Sequence, residues 1–272
     1  TVTQPPVTTP VPVIDGGVAG AALSVPAVRA LSTGGIASVF GKNFGAGTTF
    51  QNVAQDDLLN GRVSVNFRSV CVDVAGVRAP VFGVSDGQVN FQVPVVGSGG
   101  TAAVRVIAAC GTPTEVASDS LSVATQAATP EFFYFAHNPD GHNPVAATDS
   151  ITGVAIAAAD LFPGSGFAPA HPKQFVTIYA TGFGATSPSF APGEFPGTLA
   201  SVTSDVRVQL NGHELPATNV LYTGVTPFSP GLYQLNVLLP DDTPDGDLAL
   251  VIQIGGLQSP AGAFLTVRGN QN

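Results

Sequence analysis

The stretch GVSDG at 83–87 has the spacing G-x-S-x-G, which presents a serine nucleophile in α/β-hydrolases. That chemistry requires a strand, a sharp turn and a helix around Ser85, with a histidine and an acid elsewhere. Here the turn is followed by QVNFQV, whose alternation of polar and apolar residues is typical of a strand. We therefore interpret Ser85 as a hairpin residue. The chain also lacks a P-loop and a dinucleotide-binding fingerprint, so we predict no enzymatic activity and no cofactor.

Two histidines flank a carboxylate in the stretch HNPDGH. His137 and His142 on facing strands could bind a metal ion together with Asp140. Asparagine, proline, aspartate and glycine are also the ordinary residues of a tight turn. We interpret the stretch as a turn, with a metal site as the alternative.

The acidic stretch DDTPDGD brings four carboxylates close together in sequence. Oxygen ligands in a glycine-containing loop can bind Ca²⁺, but this spacing differs from the EF-hand pattern D-x-[DN]-x-[DN]-G. We predict a solvated acidic turn with at most weak affinity for Ca²⁺ and no metal required for folding. The weak candidate ligands are Asp241, Asp242, Asp245 and Asp247.

The composition argues against several classes of partner. The 272 residues include only 9 lysines and arginines against 18 acidic residues, and the basic residues do not cluster, so we expect no nucleic-acid binding. No apolar run approaches the roughly 18–20 residues that a membrane-spanning helix needs. Glycine (32) and proline (23) are spread along the chain, which favours many short strands. Because methionine is absent, we expect a processed product that has lost any signal peptide.

Five sequence blocks occur twice in the same order. The pair DGQVNFQVP and GLYQLNVLLP aligns Asn90 with Asn236 and Pro94 with Pro240. The pair CVDVAGVRAP and RVQLNGHELP places Ala-Gly or Asn-Gly between alternating strands, which predicts a hairpin. The other pairs are IASVFGKNFG with VTIYATGFG, AAVRVIAACG with LALVIQIGG, and LSV with FLTV. Matching pairs in one order predict two tandem copies of one domain.

Short strands separated by frequent turns predict an all-β chain of two tandem immunoglobulin-like β-sandwiches. We place the first sandwich at 15–126 and the second at 172–272, with a connecting β-hairpin at 127–171 and an extended segment at 1–14. The aromatic residues of PEFFYF in the connecting region cannot all face water. We therefore expect this hairpin to lie as a wedge between the two sandwiches.

The repeated blocks resemble the IPT/TIG subclass of immunoglobulin-like domains. Together with PEFFYF and VLYTGVTPFSPGLYQLNVLLP, they also resemble the Solibacter-type uncharacterised C-terminal domain, over about residues 15–268. That family is found at the ends of secreted bacterial proteins. The resemblance implies a secreted or cell-surface location and implies no chemistry.

The two cysteines, Cys71 and Cys110, fall in two blocks of the first copy and have no counterparts in the second. In an extracellular protein this pattern favours a disulfide between them. Two separate buried thiols are the alternative.

The N-terminal stretch TVTQPPVTTPVPVI precedes the repeat. In an extended strand Val7, Val11 and Val13 share one face. Pro6, Pro10 and Pro12 remove the N–H groups along one edge, and residues 7, 9, 11 and 13 keep theirs along the other. Such a strand suits addition to a neighbour's sheet, whereas a plain linker is the alternative. We predict that this segment pairs with an edge strand of the next subunit through Val7, Thr9, Val11 and Val13.

These features together predict a non-enzymatic extracellular structural protein of the cell surface that self-associates into a homopolymer. The alternative is an adhesin or a carbohydrate-binding module of a larger secreted protein. Sugar sites usually present exposed aromatic rings, and this chain has no tryptophan and only four tyrosines.

Overall fold

The computed structural model describes residues 9–269, and it confirms the all-β prediction. We call residues 13–125 the first half and residues 127–267 the second half. The first half contains β1 (Val13–Gly20), β2 (Ala30–Leu31), β3 (Ile36–Lys42), β4 (Gln51–Asn52), β5 (Val70–Val74), β6 (Val77–Ala79), β7 (Val81–Val84), β8 (Gln88–Gln92), β9 (Thr101–Ala108), β10 (Val116–Ala117) and β11 (Leu121–Thr125). A single 3₁₀ turn covers Gln55–Asp57.

The second half continues the same pattern of short strands. It contains β12 (Glu131–Phe132), β13 (Asn143–Pro144), β14 (Ala147–Asp149), β15 (Phe175–Thr181), β16 (Thr186–Ser187), β17 (Ala200–Val202), β18 (Val206–Leu210), β19 (His213–Glu214), β20 (Val220–Val225), β21 (Tyr233–Leu238), β22 (Gly246–Ile254), β23 (Leu257–Gln258) and β24 (Ala263–Val267). A 3₁₀ turn covers Ala217–Asn219.

Each half is built from two sheets with matching strand orders. The first half has the orders β1-β3-β8-β7-β4 and β2-β11-β9-β5-β6, with β10 on β9. The second half has the orders β12-β15-β21-β20-β17-β16 and β13-β24-β22-β18-β19, with β14 on β15 and β23 on β22. In both halves the last strand also pairs in parallel with a two-residue strand, β11 with β2 and β24 with β13.

Two hairpins follow from the turn residues identified in the sequence. Asn211 and Gly212 have φ angles of 53° and 78° and join β18 to β19. Ala75 and Gly76 have φ angles of 52° and 84° and join β5 to β6. Positive φ at both central residues gives a turn whose twist matches that of the strands. The structure confirms both predicted hairpins.

The repeated Gln-x-Asn step lies beside a β-bulge in each half. The β7–β8 register shifts between Val81 and Gly83, and Gly83 lies opposite Asn90. The β20–β21 register shifts between Val220 and Tyr222, and Tyr222 lies opposite Asn236. Both asparagines accept a hydrogen bond from the glutamine two residues earlier, at 2.8 Å in the first half and 3.1 Å in the second. The recurring sequence therefore encodes the same irregularity in both sheets.

Each half has its own apolar core between its sheets. Fully buried side chains include Val39, Val72 and Phe91 in the first half and Ile178, Leu235 and Ile252 in the second. Burial of each such side chain stabilises the fold by roughly 1.5–3 kcal/mol.

The region 127–171 contains a strand–turn–strand, in which Phe133 and Phe135 pair with Ala146 and Pro144, but this hairpin is part of the second half and not a separate connector. Its strand β12 pairs with β15, β13 pairs with β24, and β14 pairs with β15. The reason is that its aromatic and apolar residues complete the core of the second half, where Phe132 is fully buried. Part of this region also contacts the first half, as described below.

Candidate functional site

The serine of the G-x-S-x-G stretch lies in a hairpin turn, as predicted. Ser85 joins β7 to β8, and its N–H donates to the carbonyl oxygen of Gln88 at 2.8 Å. Its Oγ accepts a hydrogen bond from the N–H of Gly87 at 3.3 Å. The Ser85 side chain therefore stabilises the turn. A nucleophile elbow requires a helix after the serine, and here a strand follows it.

The histidines near Asp140 serve different partners. His137 Nε2 lies 2.8 Å from the carbonyl oxygen of Ala22 in the first half. The His142 ring stacks on Phe264 with 4.3 Å between centroids. The backbone N–H of His142 donates a hydrogen bond to Asp140 Oδ1 at 3.0 Å. Within residues 9–269 the structure shows no group of three histidine, cysteine or acidic side chains placed to hold a metal ion.

The four aspartates of the acidic stretch do not converge either. Asp241 lies 2.6 Å from Lys173 Nζ, and Asp247 Oδ1 accepts a hydrogen bond from Thr266 Oγ1 at 2.8 Å. Asp245 Oδ1 accepts from the N–H of Gly269 at 2.5 Å. Asp241, Asp245 and Asp247 therefore each bind a different local partner. Asp242 is exposed.

We expect removal of Ca²⁺ to leave the protein unchanged, because these carboxylates already have hydrogen-bond or ion-pair partners. Thermal unfolding followed with excess chelator and with added Ca²⁺ should give midpoints that agree within about 1 °C. A large loss of thermal stability with chelator would contradict the solvated-turn interpretation. Mg²⁺ at the same ionic strength is the control for screening of this acidic surface.

The predicted disulfide between Cys71 and Cys110 is present. The two Cα atoms lie 5.9 Å apart, and the bond closes a sequence separation of 39 residues. Cys71 is on β5, and Cys110 lies in the turn after β9, where its N–H donates to the carbonyl oxygen of Ser69. Both cysteines are buried, and no further cysteine is free. The bond therefore ties neighbouring parts of one sheet to each other.

The two halves meet end to end in a polar contact region that we call the joint. It comprises residues 20–36, 62–63 and 92 of the first half and residues 129–137, 181–184, 193–194 and 231 of the second. The sequence does not predict the joint, because most hydrogen bonds of the joint run from a backbone group to a side chain more than 100 residues away.

Glu131 is the central buried carboxylate of the joint. It is 0% exposed, and its two oxygens accept hydrogen bonds from the N–H groups of Ser24, at 2.8 Å, and Ala22, at 3.2 Å. Ser24 Oγ is also hydrogen-bonded to Tyr134 Oη at 3.0 Å. A side chain on Gly20 would place its Cβ 2.0 Å from Glu131 Oε2, so only glycine leaves room for the carboxylate. Burial raises the pKa of Glu131, although these hydrogen bonds act in the opposite direction.

A second group of contacts closes the middle of the joint. Thr181 Oγ1 accepts a hydrogen bond from the N–H of Ile36 at 2.8 Å, and Ser32 Oγ lies 2.8 Å from Thr129 Oγ1. Gly35 and Gly182 meet across the joint, where a Cβ on Gly35 would lie 3.1 Å from the Cα of Gly182. The backbones of the two halves approach this closely because neither residue carries a side chain.

A loop of the second half reaches across to the side of the first half. Gly193 accepts a hydrogen bond from the N–H of Val63 at 2.9 Å and donates to Gln92 Oε1 at 2.6 Å. Beside it, Arg62 forms an ion pair with Glu194 at 3.2 Å. The joint thus satisfies backbone groups of both halves with fixed partners, which holds the halves at one relative orientation.

The N-terminal segment departs in part from the prediction. Val7 lies outside the described residues, and Thr9 and Val11 precede the first strand. Val13 is the first residue of β1 and pairs with Lys42 of the same chain. Val13 is therefore part of its own sheet. Val11 is 56% exposed, and its carbonyl oxygen accepts a hydrogen bond from Asn43 Nδ2 at 3.3 Å.

Comparisons with known proteins give no family. No family model matches the chain, and no curated protein matches it. Among solved structures it is similar to the full extracellular region of plexin A4, with 12% identity and a TM-score of 0.29, over 94% of this chain and 18% of that one. It is also similar to SGBP-B of the Bacteroides ovatus mixed-linkage glucan utilization locus, solved with a mixed-linkage heptasaccharide. That match has 11% identity and a TM-score of 0.34, over 89% of this chain and 45% of that one.

This chain spans less than half the length of either structure, and scores this low support no inference about function. Among the described residues, no helix has the length and apolar character needed to cross a bilayer.

Proposed function

We propose that this chain is a non-enzymatic extracellular structural subunit that assembles into a filament through its N-terminal segment. The observation that carries the proposal is where β1 begins. Strand β3 runs from Ile36, which is bonded to Thr181 in the joint, to Lys42, which pairs with Val13. Residues 9–12, which precede β1, therefore lie at the end of the first half that faces away from the second half.

The segment that leaves has the composition of a connector. Residues 1–12 carry four prolines and three valines and no charged side chain. Because Val13 pairs within its own sheet, the proposed donor is this shorter stretch and not residues 1–14. Proline restricts such a stretch to extended conformations, and between residues 6 and 12 the prolines limit its pairing to one edge.

The remainder of the molecule supports a structural role. The joint fixes the two halves through buried hydrogen bonds, so that a pull on one half is passed to the other. The disulfide between Cys71 and Cys110 suits an oxidising compartment outside the cell. The resemblance to domains of secreted bacterial proteins points to the same location.

Deleting residues 1–12 should abolish assembly and leave both halves folded. The expected result is a monomer with an unchanged circular dichroism spectrum, because β1 and the joint are intact, while the full chain forms filaments visible by negative-stain microscopy. A truncated protein that still polymerises normally would show that the segment is only a linker.

A second variant keeps the length of the segment and changes only its chemistry. Replacing Val7 and Val11 by aspartate retains all four prolines and should weaken assembly strongly, since charged groups would have to be buried on pairing. A glycan-array screen of the full chain tests the carbohydrate-binding alternative, and a strong specific signal would favour that function over this proposal.

A further inference from the structure

The second half carries an apolar groove at the end that faces away from the joint. The groove lies between the β18–β19 hairpin and the loop that joins β21 to β22, and its volume is about 510 Å³. We call it the distal groove. Three nearly buried leucines and the prolines Pro216, Pro240 and Pro244 form its apolar part, and polar residues that include His213 and Asp242 form its rim.

The position of the groove follows from the course of β21. This strand begins at Tyr233, whose hydroxyl donates to the carbonyl oxygen of Gly184 in the joint at 2.7 Å. It ends at Leu238, and Pro240 of the groove follows two residues later. The distal groove is therefore one strand length away from the joint, at the opposite end of the second half.

The first half has a matching cleft, and there a loop of the second half lies beside it. Pro80 and Pro94 occupy the places in the first repeat that Pro216 and Pro240 occupy in the second. In the first half they share a cleft with Val77 and with Pro192, which comes from the second half. The loop that carries Pro192 is held by the bonds of Gly193 to Val63 and Gln92. A proline-containing loop of the second half thus forms one wall of this cleft, while Val77 remains exposed on the other side.

Between residues 9 and 269, no loop of a following domain lies beside the distal groove as the Pro192 loop lies beside the cleft of the first half. We propose that the distal groove receives residues 1–12 of a second copy of this chain. The inference rests on the proposed function and names the acceptor surface for the N-terminal segment.

The chemistry of the two partners agrees. Proline-rich segments are already extended in solution, so they dock into apolar grooves at a small entropic cost. The segment offers uncharged prolines and valines, and the accessible apolar surface of the groove comes mainly from Pro216, Pro240 and Pro244, which lie over leucines that are nearly buried. Twelve extended residues span about 40 Å at roughly 3.3 Å per residue, which is enough to cross the end of a sandwich.

The placement of donor and acceptor also determines the type of assembly. The donor leaves the free end of the first half, and the acceptor lies at the free end of the second half. A contact between two different surfaces does not close on itself in a dimer but continues from copy to copy. The distal groove therefore gives a head-to-tail filament with one unused segment and one unused groove at its two ends.

Two full-length variants test the acceptor. His213→Trp with Asp242→Trp places two bulky side chains on exposed rim positions of the groove and leaves its leucines untouched. Thr218→Trp with Leu221→Trp adds comparable bulk at exposed positions of the same half that do not line the groove, and serves as the matched control. Melting temperature, measured for both, establishes that each variant is folded.

Light scattering after size exclusion should then show three results. The groove variant is monomeric, the control variant polymerises as the unmodified chain does, and the groove variant mixed with the chain lacking residues 1–12 forms a 1:1 dimer. The mixed dimer is expected because one partner supplies the segment and the other supplies the open groove.

The failures are distinguishable. If the groove variant polymerises normally while the truncated chain stays monomeric, the segment binds elsewhere; the acceptor assignment is then wrong and the proposed function stands. If the unmodified chain remains monomeric at all concentrations, the proposed function is wrong and the acceptor assignment falls with it.

Discussion

Replacing Cys71 and Cys110 together by alanine should lower the free energy of unfolding by about 4 kcal/mol. A bond that spans 39 residues restricts the unfolded chain, and in the chain-entropy model its loss costs about that much. Alanine is preferable to serine, because both positions are buried and a hydroxyl group there would need a hydrogen-bond partner. The measurement is urea unfolding of the variant and the unmodified chain without reductant.

The unmodified chain treated with reductant is the control for this comparison. Its midpoint should fall to nearly that of the double variant, and the variant itself should not respond to reductant. If reductant leaves the midpoint of the unmodified chain unchanged, the bond contributes no stability, and its effect on the unfolded chain has been overestimated.

The buried carboxylate of Glu131 should make the joint more stable in acid than at neutral pH. Burial raises its pKa above the ordinary value of 4.5, so between these two values the folded chain holds a proton that the unfolded chain has lost. The stabilisation is therefore fully present below pH 4.5 and is lost as the pH rises through the folded-state pKa. The loss amounts to about 1.4 kcal/mol for each unit by which the pKa is raised.

The variant Glu131→Gln isolates this contribution, since glutamine has a similar shape and does not titrate. The stability of the unmodified chain relative to the variant should fall as the pH rises from 4 to 8. A difference that stays flat or increases over this range would show that the carboxylate is not held in its raised-pKa state. His137 and Tyr134 lie on the same face of the joint and are unchanged in the variant.

A second carboxylate affects the same titration with the opposite sign and in a different range. Hydrogen bonds from the N–H of Thr152 and from Gln174 hold the pKa of Asp149 at about 2, below its ordinary value of 3.8. Its contribution is present above pH 3.8 and is lost as the pH falls through about 2. The contribution of Asp149 cancels when the stability of the unmodified chain is compared with that of the Glu131→Gln variant above pH 4.

The local features of the fold could be predicted from the sequence because each depends on neighbouring residues. The Asn211–Gly212 turn fixes its hairpin through its own backbone conformation. The alternation around Asn90 and Asn236 likewise defines strands and, by repetition, matching places in two sheets. The disulfide could be predicted for a different reason, since the first copy has two cysteines and the second has none, so each cysteine has one possible partner.

The joint could not be predicted, because its residues have no distinctive neighbours. Glu131 stands in a run of aromatic residues, and its partners are backbone N–H groups of Ala22 and Ser24, which any sequence would supply. The sequence predicts the segment around Glu131 as a separate connecting hairpin between the two sandwiches. The segment does contact the first half, but its strands belong to the sheets of the second. The pairing of β12 and β14 with β15 depends on the arrangement of whole sheets and not on local pattern.

The terminal strands determine how the molecule responds to tension. Strand β1 begins at the free end of the first half, and β24 ends at Val267, which pairs with Gly246 near the free end of the second half. A pull applied through residues 9 and 269 therefore acts along these strands, across hydrogen bonds that lie perpendicular to them. The ladder from Gly17 to Gly20 on β3 and the ladder from Gly246 to Ala249 on β24 are each loaded in shear, so their bonds must break together and not one after another.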